Sequence, residues 1–148
     1  MRRIIIELGG QWVENPVAYL PGVISEAALL EDKAPETCKA LWDRLPMETR
    51  TTHSFFSGQA WRTEHNYPLR KDDDPIENAA QDMEPGDVFY FGSPEAGNYK
   101  ICFSYSKARW ASQACHMGRI DKNLAGFIEA SRRTLYQGPL TLSIRRKE

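Results

Sequence analysis

The sequence has little of what builds metal or disulfide frameworks. Its 148 residues include three cysteines and three histidines, scattered singly and without a Cys-x-x-Cys pair. The odd number and wide spacing of Cys38, Cys102 and Cys115 argue against a disulfide scaffold and a structural zinc site, so no metal or cofactor is expected. Asp72, Asp73 and Asp74 are adjacent, without the alternating spacing of a calcium loop. No apolar run approaches the roughly 18–20 residues of a membrane span. The start, Met1-Arg2-Arg3-Ile4-Ile5-Ile6, looks like a signal n-region, but Glu7 arrives too soon for the apolar stretch that should follow. A cytoplasmic location and no membrane partner are therefore expected. A Walker loop, a zincin helix and a Gly-x-Ser-x-Gly elbow are all lacking, so no motif names a reaction.

What is present fits one domain over residues 1–148: 41% hydrophobic, 11% aromatic and 26% charged residues. The net charge of −1 hides a division. Residues 107–148 hold nine basic residues against three acidic, and residues 1–106 hold ten against seventeen. That balance excludes a nucleic-acid partner as the leading idea and leaves a local anion site open. The terminal Arg145-Arg146-Lys147 reads as a solubilising edge.

Arg3 to Leu8 reads as a strand stopped by Gly9-Gly10, followed over 11–21 by an irregular insertion or a short strand. Ser25 to Leu30 is a second strand. The segment from Ala34 to Pro46 is a helix: Pro35 suits its first turn, Cys38, Leu41, Trp42 and Leu45 form an apolar stripe, and Pro46 stops it. Thr49 to Thr63 reads as two strands or one bulged strand, Glu64 to Pro85 as loop, and Val88 to Phe91 and Tyr99 to Tyr105 as strands. A mixed loop is expected through Gly118, then a strand over Asn123 to Ile128 and a short helix from Glu129 to Gln137. Leu140 to Arg145 alternates as a terminal strand that pairs with the first. Many short strands and two helices predict a mainly β protein, a barrel or sandwich with helical caps. Trp42, Phe55, Phe91, Phe103 and Phe127 are expected in the core.

The ordered motifs carry a resemblance. Asp32-Lys33-Ala34-Pro35-Glu36-Thr37-Cys38 precedes the helix, and Leu45-Pro46 ends it. His53-x-x-x-Ser57-Gly58, Glu77-Asn78, Pro85-Gly86-Asp87-Val88, Phe103-x-Tyr105, Asn123 and Arg132-Arg133-x-Leu135-x-x-Gly138 follow. Over residues 24–138 this series resembles the DUF3830 family, grouped with the cyclophilin-like barrels. The resemblance implies a closed, eight-stranded cyclophilin-like β-barrel with two short capping helices. Relatives of the cucumopine synthase type condense an amino acid's amine with a 2-oxo acid. It therefore implies a small-molecule enzyme for a carboxylate- or amide-bearing metabolite, working by acid/base chemistry without metal. The alternative is a non-catalytic binding module or a prolyl-isomerase-like peptide binder. Against the latter, His53-Ser54-Phe55-Phe56-Ser57-Gly58-Gln59 lacks the leading Arg of prolyl isomerases.

Each candidate has an ordinary alternative. His53 suits acid/base work near neutrality, or is a satisfied edge histidine. Glu77 is where the family motif falls, as a base or the partner of a substrate amine; the other acids of its loop read as a solvated face. Ser57, followed by Gly58, offers a hydroxyl and anion-binding amides, or forms a bulge. Arg109 could grip a carboxylate beside Tyr105, or lie on the surface. Asn78, His116 and Asn123 complete the binding candidates. Trp61 is expected to wall the pocket, with Tyr90 and Trp110 ambiguous. Cys115 and His116 would face opposite ways in a strand, which disfavours a Cys–His dyad. The expected partner is a small molecule, and a homo-oligomer is a further expectation.

Overall fold

The computed structural model describes residues 1–14, 17–54, 58–93 and 98–148. Among these described residues, ten strands and two helices run in the order β1 (Arg3–Leu8), β2 (Gln11–Glu14), β3 (Val17–Leu20), β4 (Val23–Leu29), α1 (Pro35–Arg44), β5 (Met47–His53), β6 (Gly58–Thr63), β7 (Ala79–Met83), β8 (Asp87–Ser93), β9 (Asn98–Lys122), α2 (Leu124–Gln137) and β10 (Thr141–Arg146). Strands β4, β1, β10, β5, β6 and β9 are hydrogen-bonded in that order, and β9 returns to β4, which closes a six-stranded barrel. The β8 strand lies between the two arms of β9, pairing Tyr90 with both Ile101 and Cys115. The barrel is closed, as the resemblance implied, but by six strands, with β7 and β8 added along β9, where eight were expected. The terminal strand does pair with the first, Ile6 opposite Ile144.

Alternation builds two apolar layers from the same strands. Val88, Tyr90, Ile101, Phe103, Cys115 and Met117 point into the barrel with Ile4, Ile6 and Ile144. Phe89, Cys102 and Ala114 point the other way and pack beneath Met83 and Trp110. Inside, Trp61 stacks on Phe103 at 4.4 Å between ring centroids, and Phe127 of α2 closes over both. Each such buried ring contributes about 1.5–3 kcal/mol of transfer free energy. Trp42 and Phe91 are only half-buried at the core edges, and Phe55 lies outside the described residues.

Three sequence expectations need correction. The loop expected over 64–85 contains β7, whose Ala-Ala-Gln-Asp-Met run has little strand character of its own and is held by pairing to β9. The mixed loop expected through Gly118 is the middle of the 25-residue β9, which bends to serve two sheet neighbours. The strand expected over Asn123 to Ile128 opens α2. Asn123 adopts a left-handed conformation (φ 54°) and its side chain accepts a hydrogen bond from the Gly126 N–H, capping the helix. Leu124, Phe127 and Ile128 then follow a helical, not an alternating, period. The stretch over 11–21 is a hairpin of β2 and β3.

Candidate functional site

A cleft of about 220 Å³ opens where the N-terminus of α1 meets the 70–77 loop and the outer ends of β8 and β9. Its construction starts from a deficit. Helix α1 begins after Ala34, which has no side chain to cap the free N–H groups of the first turn. Glu77 supplies the cap from the loop. Its carboxylate accepts the Thr37 N–H at 2.7 Å, the Thr37 hydroxyl at 2.8 Å and the Glu36 N–H at 3.2 Å. Arg70 lies 2.9 Å from the same carboxylate, both side chains being mostly buried. Burial alone would raise the Glu77 carboxyl, but these donors and the Arg70 charge hold it below its ordinary value.

Arg70 ties the loop together. Its Nη1 also donates to the Thr37 hydroxyl at 3.0 Å, and its Nε donates to Asp74 at 3.2 Å. The Lys71 N–H donates to Asp74 as well and, outweighing a small desolvation penalty together with Arg70, keeps that carboxyl low. Tyr90 and Tyr99 wall the cleft. The Tyr90 hydroxyl donates to the Tyr67 carbonyl and accepts from the Leu69 N–H, fixing both the ring and the loop. Burial raises the Tyr90 hydroxyl, and a hydrogen bond to Asp72 at 2.9 Å raises Tyr99. Gly92 leaves room for the Tyr90 ring: a Cβ there would come within 3.1 Å of it. Cys115 and Gln113 complete the lining, and burial pushes the Cys115 thiol up to about 11.

Of the residues singled out in the sequence, the structure places Glu77 in this cleft. Asn78 adjoins it in a left-handed conformation (φ 43°) and donates to the His116 carbonyl at 2.9 Å, anchoring the loop to β9. Arg109 is exposed, paired with Asp82 at 2.6 Å; it reaches the cleft only indirectly, through Gln81, which also accepts from Gln113. His116 stacks on Phe89 in the outer layer, its Nε2 3.1 Å from Asp87 without hydrogen-bond alignment. Trp61 is fully buried and donates to the Ser131 hydroxyl at 2.9 Å, so it packs inside the barrel and walls no pocket. Asn123 caps α2 and donates to the Ile24 carbonyl. Ser57 lies outside the described residues.

His53 and Tyr105 form a separate pair on strands β5 and β9. The His53 Nε2 lies 2.6 Å from the Tyr105 hydroxyl, and its Nδ1 lies 2.7 Å from the Ser54 carbonyl. A carbonyl only accepts, so Nδ1 carries a proton, and in the neutral ring Nε2 accepts from Tyr105. Neither residue lines the Glu77 cleft, so the structure does not bring His53 and Glu77 together.

Sequence reasoning missed Thr37, Arg70, Tyr99 and Gln113. A usable signal existed for one of them: Arg70, with Lys71, is the basic exception in an otherwise acidic loop. Among the described residues no group of three or more His, Cys, Asp or Glu could hold a metal ion, and no helix is long and apolar enough to cross a membrane.

Comparison with solved structures finds the same fold. A structure of McbB in complex with tryptophan aligns with a TM-score of 0.70 at 22% identity, covering 96% of this chain and 44% of McbB. The chain therefore spans less than half of McbB's length. The solution structure of the hypothetical protein AF2241 from Archaeoglobus fulgidus aligns with a TM-score of 0.59 at 21% identity, covering 99% of this chain and 95% of that one. Among curated proteins no match is found. The chain belongs to the DUF3830 family, described as a protein of unknown function, whose model matches residues 20–145.

Proposed function

We propose that the cleft binds a small zwitterionic metabolite, an amino acid or a 2-oxo acid paired with an amine, for acid/base chemistry without a metal. One observation carries this reading: a mostly buried Arg70–Glu77 pair puts both signs of charge into one cavity walled by Tyr90 and Tyr99. Arg70 spends its Nε and Nη1 donors on Asp74, Thr37 and Glu77, so its Nη2 donors suit a ligand carboxylate. Glu77, kept ionised, suits an ammonium group. The tyrosine walls suit a flat side chain. The tryptophan bound by McbB, which shares this fold, supports an amino acid as the ligand class.

A second reading, a binding module without turnover, has one observation in its favour. The shifted groups of the cleft all move away from neutrality: Glu77 and Asp74 down, Tyr90, Tyr99 and Cys115 up. None of them is poised to exchange a proton at neutral pH. His53 remains the proposed acid/base residue only if a substrate spans from the cleft to its ring.

Thermal-shift and calorimetric titrations with tryptophan, other amino acids and 2-oxo acids test the binding reading. Stabilisation of the native chain, lost in Arg70→Ala, is expected. Equal binding by that variant, or no stabilisation by any of these ligands, overturns it. Mass spectrometry of amine and 2-oxo acid mixtures then separates the two readings. Condensation with loss of water supports an enzyme, and unchanged ligands support a binding module.

A further inference from the structure

The outer face of the barrel carries charges that the cleft does not use. Pairing of β5, β6 and β9 sets Thr52, Arg62 and Cys102 in one cross-strand row. Alternation puts this row on the face opposite Trp61 and Phe103, which fill the barrel. Lys100, two residues before Cys102, shares that outer face. Such a diagonal neighbour lies about 7–8 Å from Arg62, within reach of two long side chains. Facing Lys100 across the next pairing is Phe91, half-buried. None of these residues lines the Glu77 cleft.

The two cations are left without a counter-charge. Arg62 is half-buried, its Nε is enclosed without a hydrogen-bond partner, and no carboxylate pairs with it among the described residues. The Lys100 ammonium donates to the Glu64 main-chain carbonyl, a neutral partner. The Glu64 carboxylate itself turns to Arg50, at 2.9 Å. Among the described residues, Arg50, Arg62 and Lys100 therefore share one carboxylate, which leaves two positive charges in excess. Burial pulls the Lys100 ammonium below its ordinary value, and the Arg62 charge pulls it further. Like charges held together on a sheet are destabilising, and enclosed charge is ordinarily paired. The half-buried Thr52 hydroxyl, opposite Arg62, adds a neutral donor to the set.

We propose that Arg62, Lys100 and Thr52 form an anion site on the outside of the barrel, for a dianionic phosphoryl group, either free phosphate or a small phosphate monoester. The chemistry of the donors selects this class. The guanidinium offers a planar fork that fits two oxygens, the ammonium a point charge for a third, and the hydroxyl a hydrogen bond. A dianion neutralises the excess that a single carboxylate would only halve. Phe91 beside Lys100 gives the organic part of an ester an apolar wall. The site is separate from the cleft and does not depend on an amino acid binding there.

Amide chemical shifts of the full, isotope-labelled chain, titrated with inorganic phosphate at constant ionic strength, test this. The titration is run at about pH 7.5, where the dianion predominates. Saturating shifts centred on residues 50–52, 62–64 and 100–102 are expected. Arg62→Gln and Lys100→Gln should each weaken affinity at least tenfold, while Lys100→Arg, which keeps the charge, and Arg133→Gln, on α2, should bind as the native chain does. Acetate, with one charge, should bind at least tenfold more weakly than phosphate. Phenyl phosphate binding more tightly than inorganic phosphate assigns the site to an ester, and equal or weaker binding assigns it to free phosphate. No saturating shift, shifts centred elsewhere, acetate binding as tightly as phosphate, or full affinity in either Gln variant at 62 or 100 overturns the proposal. So does equal loss in Arg133→Gln, or loss of phosphate binding in Arg70→Ala, which would put the anion in the cleft. If a variant unfolds, the position and saturation of the native chain's shifts decide.

Discussion

Glu77 lies forty residues from Thr37 in sequence, yet one of its oxygens accepts both the backbone N–H and the hydroxyl of Thr37. A helix that lacks its own cap is completed by a loop, and the cleft is the space left between them. The Glu77 carboxylate meets the positive end of the α1 dipole as well as Arg70. Folding depends on that charge. Because the folded chain holds the Glu77 carboxyl below its ordinary value, the stabilisation is fully present above the unfolded pKa of about 4.3 and is lost as pH falls through the lower folded value. Glu77→Gln should cost about 2 kcal/mol at neutral pH and flatten this acid limb. Urea unfolding of both chains between pH 3 and pH 7, on the order of five points, checks it. An unchanged acid limb would show that the cap carries no such linkage.

Arg70→Lys separates the fork from the charge. Lysine keeps a positive group but cannot hold Thr37, Asp74 and Glu77 together while presenting a planar face to a carboxylate. Affinity for a ligand found with the native chain should fall at least tenfold, about 1.4 kcal/mol, with Tm lowered by only a few degrees. Calorimetric titration of the two chains is the measurement. Retained affinity would place the carboxylate elsewhere.

Local pattern explains which parts of this structure could be read from residues. The β10 strand alternates on its own, β1 is Ile-rich and stopped by Gly9-Gly10, and α1 carries its apolar stripe, its proline start and its proline stop, so each announced itself. The β7 strand and the middle of β9 did not, because neither alternates by itself and each is ordered by its partner. Asn123 was noticed, but its left-handed cap and the period of Leu124, Phe127 and Ile128 outweigh the short apolar run that suggested a strand. The site divides the same way. Glu77 was marked by motif order. Thr37 of α1, Arg70 of the loop, and Tyr99 and Gln113 of β9 come from three separate segments, and only the closure of the barrel and the Glu77 cap set them around one space.

The three thiols should be inert in the folded chain. Burial pushes Cys38 and Cys102 up to about 12 and Cys115 up to about 11. At pH 8, roughly one Cys115 in a thousand would be thiolate, the reactive form. Native protein treated with a thiol reagent at that pH should be labelled at least a hundredfold more slowly than protein in denaturant, where all three react. Fast labelling of Cys115 alone would mean that the floor of the cleft opens to solvent.

The His53–Tyr105 pair makes a prediction independent of any ligand. With Nδ1 donating to the Ser54 carbonyl and Nε2 accepting from Tyr105, the neutral ring is held in the Nδ1–H tautomer. Nitrogen chemical shifts of the imidazole should report that form in the native chain and still in Tyr105→Phe, where the Ser54 carbonyl alone holds the proton on Nδ1. Tyr105 is buried, so removing its hydroxyl leaves the ring nitrogen without that donor and should cost about 1 kcal/mol of stability. An Nε2–H ring in the native chain would break the assignment. If Tyr105→Phe and His53→Ala both leave turnover of an identified substrate untouched, the pair serves the fold and not the chemistry.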